Sequence, residues 1–226
     1  MDEKITRNNY NVPFDYVRKK LKELDPHTIS NLSNIPFNND LNRFTLNFFD
    51  RQYIIDYPNG EVWNSNGSLC NNFELKILIV RYLINAKGIP RTNKYVTFKE
   101  IPGGNVYYPN FLNRTLYRLS EVFTSQIDKY KLVMEKIGAE KVNMGDLAYR
   151  FTYMGNTSMV FILWFGDDEF PPNSNILFDS NIVYYFNAED LAVVPDTAIN
   201  AILNINNIII KFLIDLIEYN MKWGKK

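Results

Sequence analysis

Phe44-Thr45-Leu46-Asn47-Phe48, then Tyr53-Ile54-Ile55-Asp56-Tyr57, then Asn59-Gly60-Glu61-Val62-Trp63 decide how the chain is read. Phe44, Leu46 and Phe48 alternate with Thr45 and Asn47. Tyr53, Ile55 and Tyr57 alternate in the same way. A period of two puts apolar side chains on one face, the pattern of a half-buried strand. Asn-Gly between such runs is a two-residue hairpin signal, because both residues tolerate positive φ. The pattern predicts a three-stranded antiparallel meander at roughly 43–49, 52–57 and 61–64.

Helices flank this meander. Phe14, Val17, Leu21 and Leu24 recur at three- and four-residue spacing, opposite Arg18, Lys19, Lys20 and Lys22. This predicts an amphipathic helix from Pro13 to Leu24. Asp25-Pro26 suits the N-cap and first position of a second, short helix through Leu32. Asn72 to Ala86 reads as a helix with a buried face, ended by Lys87-Gly88. Tyr95-Val96-Thr97-Phe98 reads as a short strand, and Glu100-Ile101-Pro102-Gly103-Gly104 as a turn. Pro109 to Phe123 and Asp128 to Ile137 read as helices. Ala148 to Met154 and Ser158 to Phe165 read as strands joined by Gly155-Asn156, followed by short strands at Ile176 to Phe178 and Val183 to Phe186. Asp196 or Thr197 opens an Ile- and Leu-rich helix to about Tyr219. Strands and helices come in groups rather than alternating, and no linker interrupts them. The expected class is therefore α+β: an antiparallel sheet, flanking helices and a long C-terminal helix, in a single domain over 1–226.

Composition removes several functions. The 226 residues include one histidine, His27, and one cysteine, Cys70. A zinc site of several Cys and His ligands and a cysteine-ligated iron–sulfur cluster are both excluded within one chain. Apolar residues make up 46% of the chain, which suffices for a core. The 25 basic and 25 acidic side chains cancel, which argues against a generic nucleic-acid binder. Met1-Asp2-Glu3-Lys4 leads into no apolar run, so no signal peptide is expected. The apolar stretch Ile199 to Ile217 is broken by Asn204, Asn206, Asn207, Lys211 and Asp215, so no membrane span is expected. A soluble cytoplasmic protein follows as the expectation.

The cancelled charge is unevenly spread. Residues 1–150 hold 21 Lys/Arg and 16 Asp/Glu. Residues 151–210 hold no Lys or Arg, but seven acids: Asp167, Asp168, Glu169, Asp179, Glu189, Asp190 and Asp196. Within that segment lies Trp164-Phe165-Gly166-Asp167-Asp168-Glu169-Phe170-Pro171-Pro172. A strand runs into a glycine, three acids and two prolines. The prolines rigidify the loop and lower the entropic cost of holding it. Adjacent carboxylates repel, so a cation or basic side chain is expected nearby. Oxygen-rich loops hold Ca²⁺ or Mg²⁺, but the EF-hand spacing is absent.

Arg114 and Arg118 lie one helical turn apart and are the natural partners for these acids. The alternative is an anionic ligand, since Arg suits carboxylate and phosphate, but the ion-pair reading is preferred. Tyr107-Tyr108-Pro109 follows the Gly103-Gly104 turn and offers two aromatics beside them. No phosphate-binding loop, dinucleotide fingerprint or nucleophile elbow is present, so no catalytic signature is found and no cofactor is implied.

The Trp164–Pro172 segment, with Ile176-Leu177-Phe178-Asp179 and Ala188-Glu189-Asp190-Leu191-Ala192-Val193 after it, resembles the signature of the family known as domain of unknown function 3786. Phe98-Lys99-Glu100-Ile101-Pro102-Gly103-Gly104, Tyr107-Tyr108 and Arg114 are similar to its central part. The resemblance implies a bacterial or archaeal protein without an assigned activity. It also implies a link to corrinoid or one-carbon chemistry, through members joined to Cys-rich iron–sulfur segments. With only Cys70, this chain departs from those members.

The expected function is a non-enzymatic small-ligand-binding or accessory protein. Its site is expected in a cleft formed by Tyr107, Tyr108, Arg114, Arg118, Trp164, Asp167, Asp168, Glu169 and Asp179. Two alternatives stand beside it. One is a carboxylate-dependent enzyme assisted by a divalent ion, needing Asp179 or Glu189 close to the loop. The other is a structural module that forms a homodimer through the C-terminal helix.

Overall fold

The computed structural model describes the backbone of residues 3–207 and the side chains of residues 12–207. Beyond residue 207 the helix expected to reach Tyr219, and with it that stretch of the alternative dimer contact, lies outside the described residues; up to there Ala198, Ile199, Ile202 and Ile205 are buried.

Two antiparallel sheets carry the fold, so the class is α+β. Helices α1 (Glu3–Lys22) and α2 (Pro26–Ser33) precede the first sheet. Asp25 caps α2, accepting from Thr28 N at 2.8 Å, with Pro26 at its first turn as read from the sequence. The first sheet runs in order β1 (Phe37–Asn38), β2 (Arg43–Phe48), β3 (Arg51–Asp56) and β4 (Val62–Asn64). Phe44, Leu46 and Phe48 on β2 are all buried, as are Tyr53 and Ile55 on β3. The meander is therefore where its alternation put it. Its Asn-Gly turn is different. Ile55 pairs with Val62, and Tyr57–Gly60 form a longer loop between Asp56 and Glu61. Pro58 sits inside this loop and has no N–H to give a two-residue turn.

Helix α3 (Phe73–Asn85) is capped by Asn72 and buries Leu75, Leu78, Ile79, Tyr82 and Leu83. It connects to the second sheet, ordered β5 (Tyr95–Thr97), β9 (Asn173–Asp179), β8 (Ser158–Trp164), β7 (Leu147–Thr152) and β6 (Glu140–Val142). Strand β8 is central and buried from Ser158 to Leu163. Edge-on contact of Phe48 with Tyr153, with ring centroids 5.3 Å apart, ties the first sheet to the second. One hydrophobic cluster runs through both sheets and the helices around them.

Between β5 and β6 the chain is helical: α4 (Gly104–Phe111), a π-helical turn (Leu112–Leu116), α5 (Tyr117–Thr124) and α6 (Ile127–Lys136). The helix begins before Pro109 because Gly103 and Gly104 make the entry. Gly103 has φ +81°, and a Cβ on Gly104 would lie 2.0 Å from Phe98 O. These glycines serve a tight turn.

Val183 to Phe186 is not a strand. A 3₁₀ turn (Ser180–Tyr184) and α7 (Ala188–Leu191) occupy this region. Asp179 starts the turn by accepting from Asn181 N at 3.0 Å, so local side-chain bonding overrides the β-branched and aromatic composition. The last described helix, α8 (194–207), starts slightly earlier than Asp196.

Candidate functional site

The expected single cleft divides into two separate places. Arg114 lies in the π-helical turn and Arg118 in α5. The Trp164–Pro172 loop connects β8 to β9. The arginines do not pair with that loop. Arg114 donates Nη2 to both oxygens of Glu74 at 2.6 Å and Nε to Asp196 at 3.1 Å. Arg118 donates to Asp196 and, at 2.7 Å, to Asn200 Oδ1. Arg81 pairs with the buried Asp190. The basic half of the chain thus supplies Arg81, Arg114 and Arg118 to neutralise acids of the negative segment, but the acids are Asp190 and Asp196. Burial drives the Asp190 carboxyl up, and Arg81 opposes that drive without cancelling it.

Tyr107, Arg114 and Glu189 share an open cleft floored by Val193. Tyr108 is half-buried beneath Lys99, whose Nζ lies 4.1 Å from the ring centroid. Neither the loop residues nor Trp164 line this cleft.

Asp179 has a structural job. It is fully buried and receives Thr92 Oγ1 at 2.7 Å, Thr92 N at 3.0 Å, Asn93 N at 2.8 Å and Asn181 N at 3.0 Å. Burial pushes its carboxyl up, but these donors outweigh it and hold the carboxyl below its usual range. Its oxygens are committed to this cradle, and Glu189 lies in the other cleft. The divalent-ion alternative needed one of them at the acidic loop. Among the described residues no group of three or more His, Cys, Asp or Glu side chains could hold a metal ion.

The loop itself is a built structure. Asp167 N donates to Phe170 O at 2.9 Å. The Asp167 carboxylate accepts from Glu169 N at 2.9 Å and Phe170 N at 2.7 Å. Asp146, in the turn before β7, accepts from Phe165 N at 2.7 Å, and its own amide donates to Leu163 O at 3.0 Å. Gly166 closes the loop: a Cβ there would meet Pro172 Cδ at 2.6 Å. Two of the loop's neighbouring acids are therefore spent on backbone amides. Asp168 and Glu169 are exposed and make no side-chain ion pair or hydrogen bond among the described residues.

This closed loop holds apolar groups in water. Trp164 and Phe165 are each 39% exposed, Tyr117 56% and Phe170 68%, and Pro171 and Pro172 are exposed beside them. Together with Asp146 and Asn173 they line a hollow of about 660 Å³. A second hollow of about 770 Å³ adjoins it, sharing Phe165 and Pro172 and adding Glu121, Thr124 and Asp167. Among the described residues no Lys or Arg lines either. The sequence reading had marked Trp164 and the acids. It had missed Phe170 and Tyr117 as the groups that make the surface apolar. Tyr117 could have been found, since it sits on the solvent side of the Leu112–Leu116–Leu119 pattern.

A family model described as domain of unknown function 3786 matches residues 25–201. The chain belongs to this family. The match spans both sheets, the arginine–carboxylate cluster and the whole Trp164–Pro172 loop. Comparisons with curated proteins and with solved structures find no match. The family thus comes without an assigned activity, and function rests on the site.

The remaining reactive side chains are used in packing. Cys70 is buried, its Sγ lies 3.9 Å from Asn72 O, and burial pushes its thiol up, away from the reactive thiolate. His27 meets Phe37 edge-on, with centroids 5.7 Å apart. No helix among the described residues is long and apolar enough to cross a membrane.

Proposed function

We propose that the protein is a non-enzymatic accessory protein that docks a protein partner on the face made by Tyr117 and the Trp164–Asn173 loop. One observation carries this: four aromatic side chains stand exposed around a loop whose backbone is held by Asp146 and Asp167. Exposing a contiguous apolar patch in water is unfavourable, and such patches mark interaction sites. Aromatic residues also dominate the energetics of protein interfaces. Rigidity serves the same end. A loop already fixed loses little further entropy on binding.

A small-ligand role is weaker at this face, because both hollows are open. The corrinoid link enters through the resemblance alone. The arginine–carboxylate cluster has its charges matched and serves stability.

The test compares tagged wild-type protein with Phe170→Ser and Trp164→Ser variants, expressed in the native host. Quantitative mass spectrometry of the purified material should show a stoichiometric partner with wild type that is depleted at least tenfold by both substitutions. Equal recovery with wild type and both variants would remove this face from the account.

A further inference from the structure

We infer that this face is selective for a basic segment of the partner, with an arginine or lysine side chain entering the hollow between Tyr117, Trp164 and Phe170. The inference rests on the docking role proposed above and adds its chemistry.

Charge complementarity identifies the occupant. The hollow is walled by aromatic rings, and among the described residues its one charged lining residue is Asp146. The adjoining hollow contributes Asp167 and Glu121. Asp168 and Glu169, between Asp167 and Phe170 in the same loop, stand exposed, with no cation paired to either among the described residues. The nearest arginine along the chain, Arg150, is paired with Glu140, and Arg114 and Arg118 are bound to Glu74, Asp196 and Asn200. Carboxylates beside aromatic faces attract a cation by two additive effects. The ring quadrupole favours a cation over its face. The carboxylates add long-range attraction that raises the association rate. An acidic segment would meet repulsion here, and an uncharged one would leave these carboxylates partly desolvated without a partner.

A side chain on a peptide fits better than a free small amine. The two hollows share Phe165 and Pro172, so the surface is continuous and wider than one ammonium group requires. A guanidinium or ammonium head can sit among the rings while its aliphatic stem covers Phe170.

The probe is a fluorescein-labelled pentapeptide of alternating glycine and arginine, compared with the same peptide carrying citrulline, which is isosteric and neutral. Fluorescence anisotropy at low ionic strength should give at least tenfold tighter binding for the arginine peptide. Asp168→Asn with Glu169→Gln should weaken it several-fold, and Phe170→Ala should weaken it at least tenfold. Methylated or free arginine should compete only at far higher concentration than the peptide. Equal binding of the arginine and citrulline peptides would overturn the cation selectivity and leave the docking role standing. Arginine-peptide binding that survives Phe170→Ala unchanged would also overturn it, by showing diffuse charge attraction. No binding of either peptide, while the partner is still lost on Phe170→Ser in the native host, would overturn the basic segment alone. No binding together with undiminished partner recovery would overturn both.

Discussion

Arg114 Nε lies 3.1 Å from Asp196 Oδ2, so the π-helical turn is fastened to the first turns of α8. Asp196 is 6% exposed and also accepts from Arg118. Removing it leaves Arg114 with Glu74 alone and Arg118 with only the neutral Asn200, both guanidinium groups being roughly one-third exposed. Asp196→Ala should therefore cost about 2 kcal/mol, less than the loss of a fully buried pair because water screens the arginines. Urea unfolding measures this. The peptide affinity of the Trp164–Asn173 face should stay within twofold, since the two sites share no lining residue.

Asp179 provides a pH-dependent contribution. Its folded carboxyl titrates below its unfolded value, so its stabilisation is complete above the ordinary carboxyl range. It is lost as pH falls through the lowered folded value. Asp179→Asn should cost about 2–3 kcal/mol near pH 7, because several donors lose a charged acceptor. The difference between wild type and variant should shrink steadily below about pH 4. Denaturant midpoints over that range test it, and a difference that does not vary with pH would contradict it.

Asp167 should matter to the loop and little to the fold. Its carboxylate holds Glu169 N and Phe170 N in an exposed turn. Asp167→Ala should raise amide exchange at Glu169 and Phe170 at least tenfold while leaving β8 and β9 protected. Global stability should change by less than about 1 kcal/mol. Exchange mass spectrometry or NMR separates the two effects.

Phe170 is mostly in solvent, so Phe170→Ala should change stability by no more than about 0.5 kcal/mol. The same substitution should remove most of the peptide affinity. A large loss of stability would mean that the ring serves the core instead.

Strand and helix periodicity made most of the architecture legible. Phe44, Leu46, Phe48, Tyr53 and Ile55 alternate because one face of the first sheet is buried, and that alternation is local. Val183 to Phe186 misled because its composition suits a strand, whereas a 3₁₀ turn is started just before it by Asp179, whose carboxylate accepts from Asn181 N and is itself held by the sequence-distant Thr92 and Asn93. The candidate site divided for a similar reason. Arg114 and Arg118 are ion-paired, but with Glu74 and Asp196 rather than with the expected Asp167, Asp168 or Glu169, because those partners reach them only through the tertiary fold. Neither the acid order in Asp167-Asp168-Glu169 nor the prolines after it shows that Asp167 is bound to amides while its neighbours are free. The charge segregation along the chain also has a partial structural origin. The basic part supplies Arg81, Arg114 and Arg118 to Asp190 and Asp196, and among the described residues no cation pairs with Asp168 or Glu169.

The central claim is that a partner sits on Phe170. Site-specific photocrosslinking in the native host tests it directly, with a photoreactive amino acid at position 170 and, as a control of similar exposure, at Leu41 in the first sheet's β1–β2 loop. The account predicts a discrete crosslinked protein species from position 170 and none from position 41. The Asp168→Asn, Glu169→Gln background should lower its yield. Absence of a crosslink at 170, or the same species from both positions, would contradict it.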